Sequence, residues 1–261
     1  MPLVPNPVNQ KLLATDAAKA MQERFREKGH TKDGLFEAVA SAFKQAHFVT
    51  QGLNRAEHIG QNHMPVCSEG CAYCCHQAIF ITAGEALIIG LYLRSERDAE
   101  ALDALKAKLQ SQAAKLSDLP MKERQLAREP CPMLDVPTGS CTVHPIRPLP
   151  CRAANSCSVD QCITAFESKD LGVTVSQNPF QAPVFKAVWQ GLVATLQAEG
   201  LDGEVYELGP ALLVALEPDA LDRWLAGERI FAKAKTRATQ SLSAEYKPIV
   251  GPVLTTLRRK R

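Results

Sequence analysis

No single sign of charge dominates this chain, in which 30 basic side chains stand against 28 acidic ones for a net charge of +2. That balance generates no field of the kind that recruits nucleic acid or an acidic membrane surface. The one local basic cluster, Arg258, Arg259, Lys260 and Arg261, reads as a solvated tail. Long hydrophobic runs are missing as well. The strongest, near residues 86–93, falls far short of the ~20 apolar residues a helix needs to cross a bilayer, so no membrane partner is expected. Residues 1–10 carry three prolines and lack both the basic and the apolar region of a secretory signal. The expected setting is therefore cytoplasmic and reducing. There is no internal repeat, no dinucleotide fingerprint and no phosphate-binding glycine loop. Nor is there a Ser/His/Asp set or paired-carboxylate motif that would point to independent hydrolytic or kinase chemistry.

Cysteine is what the chain does have. There are nine, and Cys67, Cys71, Cys74 and Cys75 fall within nine residues, followed by Cys131, Cys141, Cys151, Cys157 and Cys162. An odd number cannot all pair, and 261 residues at 46% hydrophobic content bury enough core to need no disulfide staples. In a reducing compartment, clustered thiols hold metal or perform redox chemistry. Thiolate sulfur is a soft donor suited to zinc and to iron–sulfur clusters, both of which commonly take four cysteines per site.

Cys74 and Cys75 are adjacent, and neighbouring side chains diverge, so the pair is expected to serve different metals or different irons. The first patch then needs partners. Cys131, Cys141, Cys151 and Cys162 supply them, giving eight thiols and two four-cysteine sites. Cys162 is preferred to Cys157 because the first turn of a helix favours the thiolate. Cys157 is left as a small buried hydrophobe. Arg147 and Arg152 flank Cys151 and could offset the negative charge of a thiolate site. His63, His76 and His144 lie near cysteines but read as surrounding donors or surface residues, because eight thiols already fill two sites. His30, His47 and His58 carry no ligand signal.

Around the cysteines the pattern is helical. Apolar residues recur at Leu13, Ala17, Met21 and Phe25, then at Leu35, Val39, Phe43 and Ala46 after Gly29, which predicts an N-terminal helical hairpin over residues 1–60. Residues 61–168 form the cysteine region, with the first patch on an irregular loop or short turns. Thr82 to Glu85 matches a capping box, predicting a helix to about Arg94. Leu102, Leu105, Leu109, Ala113 and Leu116 continue the helical spacing to a stop at Pro120. Six prolines between Glu129 and Cys151 exclude regular helix there, leaving a short hairpin from 133–135 and 141–143. They also preorganise the second patch. Ser158 to Gln161 is a second capping box, with Cys162 in the first turn of its helix. Residues 169–231 should hold a helix opened by Pro183 and stopped by Gly200, then shorter ones over 208–216 and 218–226. Residues 232–261 are expected to form a loosely attached polar, basic tail. The fold class is mainly α, with helices surrounding an irregular cysteine-ligated metal core.

The core Cys67-Ser-Glu-Gly-Cys71-Ala-Tyr-Cys74-Cys75, then Thr82 to Glu85, Cys131-Pro-Met-Leu, Cys141-Thr-Val-His-Pro-Ile-Arg-Pro-Leu-Pro-Cys151-Arg152 and Cys162 resemble the YkgJ-like CxxCxxCC family of zinc- or iron-chelating domains. The resemblance covers roughly residues 60–168. Three residues rather than two separate Cys67 from Cys71, a departure that bears on the geometry of the first turn. The resemblance implies eight ligand cysteines, with Cys157 outside the pattern, and a protein holding zinc or an iron–sulfur cluster such as 4Fe-4S. Some relatives resemble a flagellin lysine methylase, which implies an alternative: an iron–sulfur-dependent methyltransferase using S-adenosylmethionine. Cys67, Cys71 and Cys74 also have the CxxxCx(aromatic)C form of radical S-adenosylmethionine enzymes. That chemistry would normally need a partial barrel of alternating strands and helices, and this chain is mostly helical.

Overall fold

The computed structural model describes residues 8–245. The first prolines, the basic run at 258–261 and the breaks at Pro248, Gly251 and Pro252 lie outside them. Helix α1 (Gln10–Lys28) starts where the Asn9 side chain accepts from Leu12 N at 3.0 Å. It stops at Gly29, whose φ of 70° needs no Cβ and whose N–H bonds Phe25 O. Helix α2 (Lys32–Ala56) follows, capped by Thr31, and completes the predicted hairpin. The first cysteine patch then runs through two 3₁₀ turns, Gln61–His63 and Tyr73–His76.

Strand β1 (Phe80–Thr82) leads directly into α3 (Ala83–Glu96), where the expected capping box is formed in both directions. Helix α3 is apolar nearly all round, as a helix buried on most of its surface must be. Helices α4 (Ala99–Leu116) and α5 (Met121–Leu126) follow, the second of them beginning just beyond the expected stop at Pro120. Strands β2 (Leu134–Asp135) and β3 (Ser140–Cys141) make the anticipated short hairpin.

Regular helix within the proline-rich segment contradicts the expectation from its composition. Helix α6 (Leu149–Ala153) begins there, with Pro148 as its cap and Pro150 in its first turn. Those are positions where the missing N–H has no intrahelical partner to lose. Helix α7 (Val159–Glu167) carries Cys162 near its start, and α8 (Gln181–Ala198) begins two residues before Pro183.

Strand β4 (Val205–Glu207) pairs antiparallel with β1, Ile81 opposite Tyr206, a pairing the sequence pattern did not announce. Helices α9 (Leu208–Ala215) and α10 (Ala220–Leu225) close the core. After a 3₁₀ turn at Ile230–Ala234 comes α11 (Arg237–Glu245). The described part of the expected tail, 232–245, is not loosely attached: it buries Ala234, Thr236, Ala238 and Thr239.

Close helix crossings are bought by small residues. A Cβ on Gly191 of α8 would stand 2.6 Å from Ala14 O of α1, and one on Gly90 of α3 would stand 2.7 Å from Ala215 O of α9. One continuous core results, containing α1, α2, α3, α8 and α9, and the half-buried Cys131 and Cys141 pack against its edge. No helix among the described residues is long and apolar enough to cross a membrane.

Candidate metal centre

Four separate elements bring the thiols to one edge of this helical body. The first patch is docked by Val66 N, which donates to Ser156 O at 2.9 Å, and by Ser156 N, which donates to Cys67 Sγ at 3.3 Å. Gly70 meets Gly139 at the β2–β3 turn, where a Cβ on Gly139 would lie 2.4 Å from Gly70 O. Both glycines have positive φ, 84° and 69°, so each is required by conformation, and Gly139 by contact as well.

The 3₁₀ turn Tyr73–His76 advances about 120° per residue, which sends the side chains of Cys74 and Cys75 in different directions. The main chain of Cys75 is tied to the second patch, since Cys131 N donates to its carbonyl at 2.7 Å. Cys141 sits opposite Leu134 in the hairpin, and Leu134 N in turn donates to Cys131 O at 2.9 Å. Cys151 lies on α6, whose first amide, Leu149 N, donates to Glu85 Oε1 at 2.8 Å. On α7, Phe166 is one turn beyond Cys162, and its ring meets Tyr73 at 5.8 Å and His76 at 4.9 Å edge-on. That aromatic clasp draws Cys162 toward Cys71.

Electrostatic neighbours divide the thiols into two overlapping groups. Burial raises the pKa of Cys71, and Cys67, Cys74 and Cys162 raise it further. Donation to Cys74 raises that of Cys75, as do its burial and the neighbouring Cys74, Cys131 and Cys151. Cys131 is pushed up to about 11, first by burial and then by Cys141. Cys151 is held well above the usual thiol range by burial, with Cys131, Cys141 and Cys74 adding to it. Burial also raises Cys141. Cys74 alone moves the other way, to about 6, because the Cys75 thiol donates to it and Arg147 attracts its charge. It is the member common to both groups.

Arg147 faces Cys74, Cys141 and Cys151, and its Nε is buried with no hydrogen-bond partner. A buried orphan donor beside soft thiols fits a centre that carries net negative charge. Arg152 feels the neighbouring Cys151 and also has a structural task. Its guanidinium donates to Arg147 O at 2.6 Å and Pro145 O at 2.7 Å and lies over the Phe43 ring at 4.5 Å, fastening the ligand loop to α2.

His76 contacts Ala72 O through Nδ1 at 3.1 Å, and the exposed His144 has its pKa lowered chiefly by Arg147. The carbonyl of His63 accepts from Asn178. Cys157 is half-buried rather than enclosed, and Cys67 is among the groups that raise its pKa, after burial. The residues that pattern reading missed are Glu85 as an anchor for α6, and Phe166. Glu85 was visible only as a cap, and the i, i+4 relation of Phe166 to Cys162 is the signal that could have found it.

All nine cysteines are free thiols. Among the described residues, no three His, Cys, Asp or Glu side chains converge as they stand on a point that a metal ion could share. The thiols are neighbours on a common edge rather than a closed tetrahedron. No curated protein and no solved structure matches the chain. Residues 66–171, which hold every one of the nine cysteines, match the family model CxxCxxCC, described as "Putative zinc- or iron-chelating domain".

Proposed function

We propose that this chain is a metal-binding protein that holds zinc or iron through two four-thiolate centres. One would comprise Cys67, Cys71, Cys74 and Cys162, the other Cys75, Cys131, Cys141 and Cys151. The observation that carries the division is that two adjacent residues reach different thiols: Cys74 acts on Cys71, while Cys131 and Cys151 act on Cys75. Cys74 also feels the second group, so the two centres would be close together.

The chemistry of the donors supports this reading. Cysteine has a single side-chain torsion before sulfur, so convergence on a metal requires rotation at Cβ and loss of the thiol protons, which couples binding to pH. Thiolates bound to zinc or to a cluster would leave negative charge, and the buried Nε of Arg147 is placed to offset it. A bound metal would supply structural cross-linking if it is zinc, or electron storage if it is an iron–sulfur cluster. Neither the fold nor the family match favours a methyltransferase over a binding role.

The test is metal analysis together with an absorption spectrum of anaerobically purified full-length chain. Stoichiometric zinc in colourless protein, or iron and sulfide with broad brown absorption, bears the reading out and distinguishes its two forms. Protein purified without metal that also takes up neither zinc nor iron contradicts it.

A further inference from the structure

Asn178 lies just ahead of α8 and is 1% exposed. Its side-chain amide makes all four hydrogen bonds open to it. Oδ1 accepts from Phe180 N and Gln181 N, both at 3.0 Å, where the start of α8 offers those N–H groups no acceptor of its own. Nδ2 donates to Asn54 Oδ1 at 2.9 Å, in the last turn of α2, and to His63 O at 3.2 Å. The main-chain N–H of Asn178 donates to Asn155 Oδ1 at 2.7 Å. Main-chain N–H donors on one side and a main-chain carbonyl on the other leave the amide a single orientation.

Two of these routes lead to Cys67. His63 ends the 3₁₀ turn Gln61–His63 and stands four residues before Cys67. Asn155 is followed by Ser156, whose N–H donates to Cys67 Sγ at 3.3 Å and whose carbonyl receives Val66 N at 2.9 Å. Asn155 and Ser156 are both buried. Moving either segment away from Asn178 would strand a polar group out of reach of water, so the saturated amide holds both in one arrangement.

We propose that Asn178 is the positioning residue of the first thiol group. By fixing the His63 turn and the Asn155–Ser156 segment against the start of α8, it sets where Cys67 stands relative to Cys71, Cys74 and Cys162. The second group takes its place from other contacts: Cys131 N with Cys75 O, Leu134 N with Cys131 O, and Leu149 N with Glu85. Loss of the Asn178 amide should therefore loosen one group and spare the other. The consequence for metal rests on the proposed division into two centres; the placement of Cys67 does not.

Site-resolved amide hydrogen exchange of the metal-free full-length chain tests the placement. Asn178→Ser keeps an oxygen for the start of α8 but has no amide nitrogen to reach Asn54 and His63. Val66 N–H and Ser156 N–H should exchange about tenfold faster or more than in wild type, while Thr142 N–H, which donates to Met133 O in the other patch, stays within about twofold. A residue that merely supports the fold would speed all three alike. Should Asn178→Ser not fold, Asn155→Ala, which removes the acceptor of Asn178 N, should give the same selective loss. Unchanged exchange at Val66 and Ser156, or an equal rise at Thr142, overturns the inference. Competition of the zinc-loaded chain with a chromophoric chelator is the second readout. Asn178→Ser should weaken retention of about half the zinc about tenfold and leave the rest as in wild type. Equal weakening of all the zinc, or of none, also overturns it. Wild type that takes up neither zinc nor iron contradicts the proposed function and not this inference, which the exchange result then decides.

Discussion

A carboxylate is costly to bury, yet Glu85 is 1% exposed. It accepts from Thr82 N at 2.9 Å, Thr82 Oγ1 at 3.0 Å, Leu149 N at 2.8 Å and Trp189 Nε1 at 3.1 Å. One residue therefore ties the start of α3, the helix bearing Cys151 and the middle of α8. Burial nevertheless raises its pKa, against the pull of those donors. A group whose folded pKa is raised contributes its full stability below the unfolded value of about 4.3 and loses it as pH rises through the folded value. Wild-type stability relative to Glu85→Gln should therefore fall with increasing pH across that window, as denaturant titration at several pH values would show. Gly139→Ala tests the contact between the two patches. It combines strain at φ 69° with an approach of 2.4 Å to Gly70 O, and should cost about 1–3 kcal/mol in denaturant unfolding.

Among the elements, helices with caps and the β2–β3 hairpin were legible, and the β1–β4 pair was not. Thr82 to Glu85, Gly29 and Ser158 announced their helix ends because capping needs specific side chains at fixed spacings. Phe80 to Thr82 and Val205 to Glu207 are three residues each, too short for a period-two pattern, and they find one another only through the tertiary fold. Helix α5 escaped notice because six mostly polar residues carry no apolar stripe. At the centre, residue type and spacing identified the thiols, but the clasp of Phe166 on Tyr73 and His76 depends on how α7 docks, which local spacing does not encode. Phe166→Ala should leave the helical content intact while weakening metal retention by the Cys67, Cys71, Cys74 and Cys162 group about tenfold, or about 1.4 kcal/mol. Competition with a chromophoric chelator would measure the change.

At the scale of the molecule, the thiols come from segments far apart in sequence, and the helical core fixes where those segments emerge. Glu207 of β4 takes Arg124 of α5 at 2.5 Å and receives Thr236 Oγ1 at 3.3 Å, so the chain beyond residue 231 is joined to the same body. The central claim is that two groups of thiols share the work, so losing one group should not empty the other. Metal content per chain in anaerobically prepared Cys131→Ser/Cys141→Ser, compared with wild type, tests this most directly. Two centres predict that the content falls to about half. Retention of the full wild-type content would instead show one centre held by Cys67, Cys71, Cys74 and Cys75 alone, and would contradict the account.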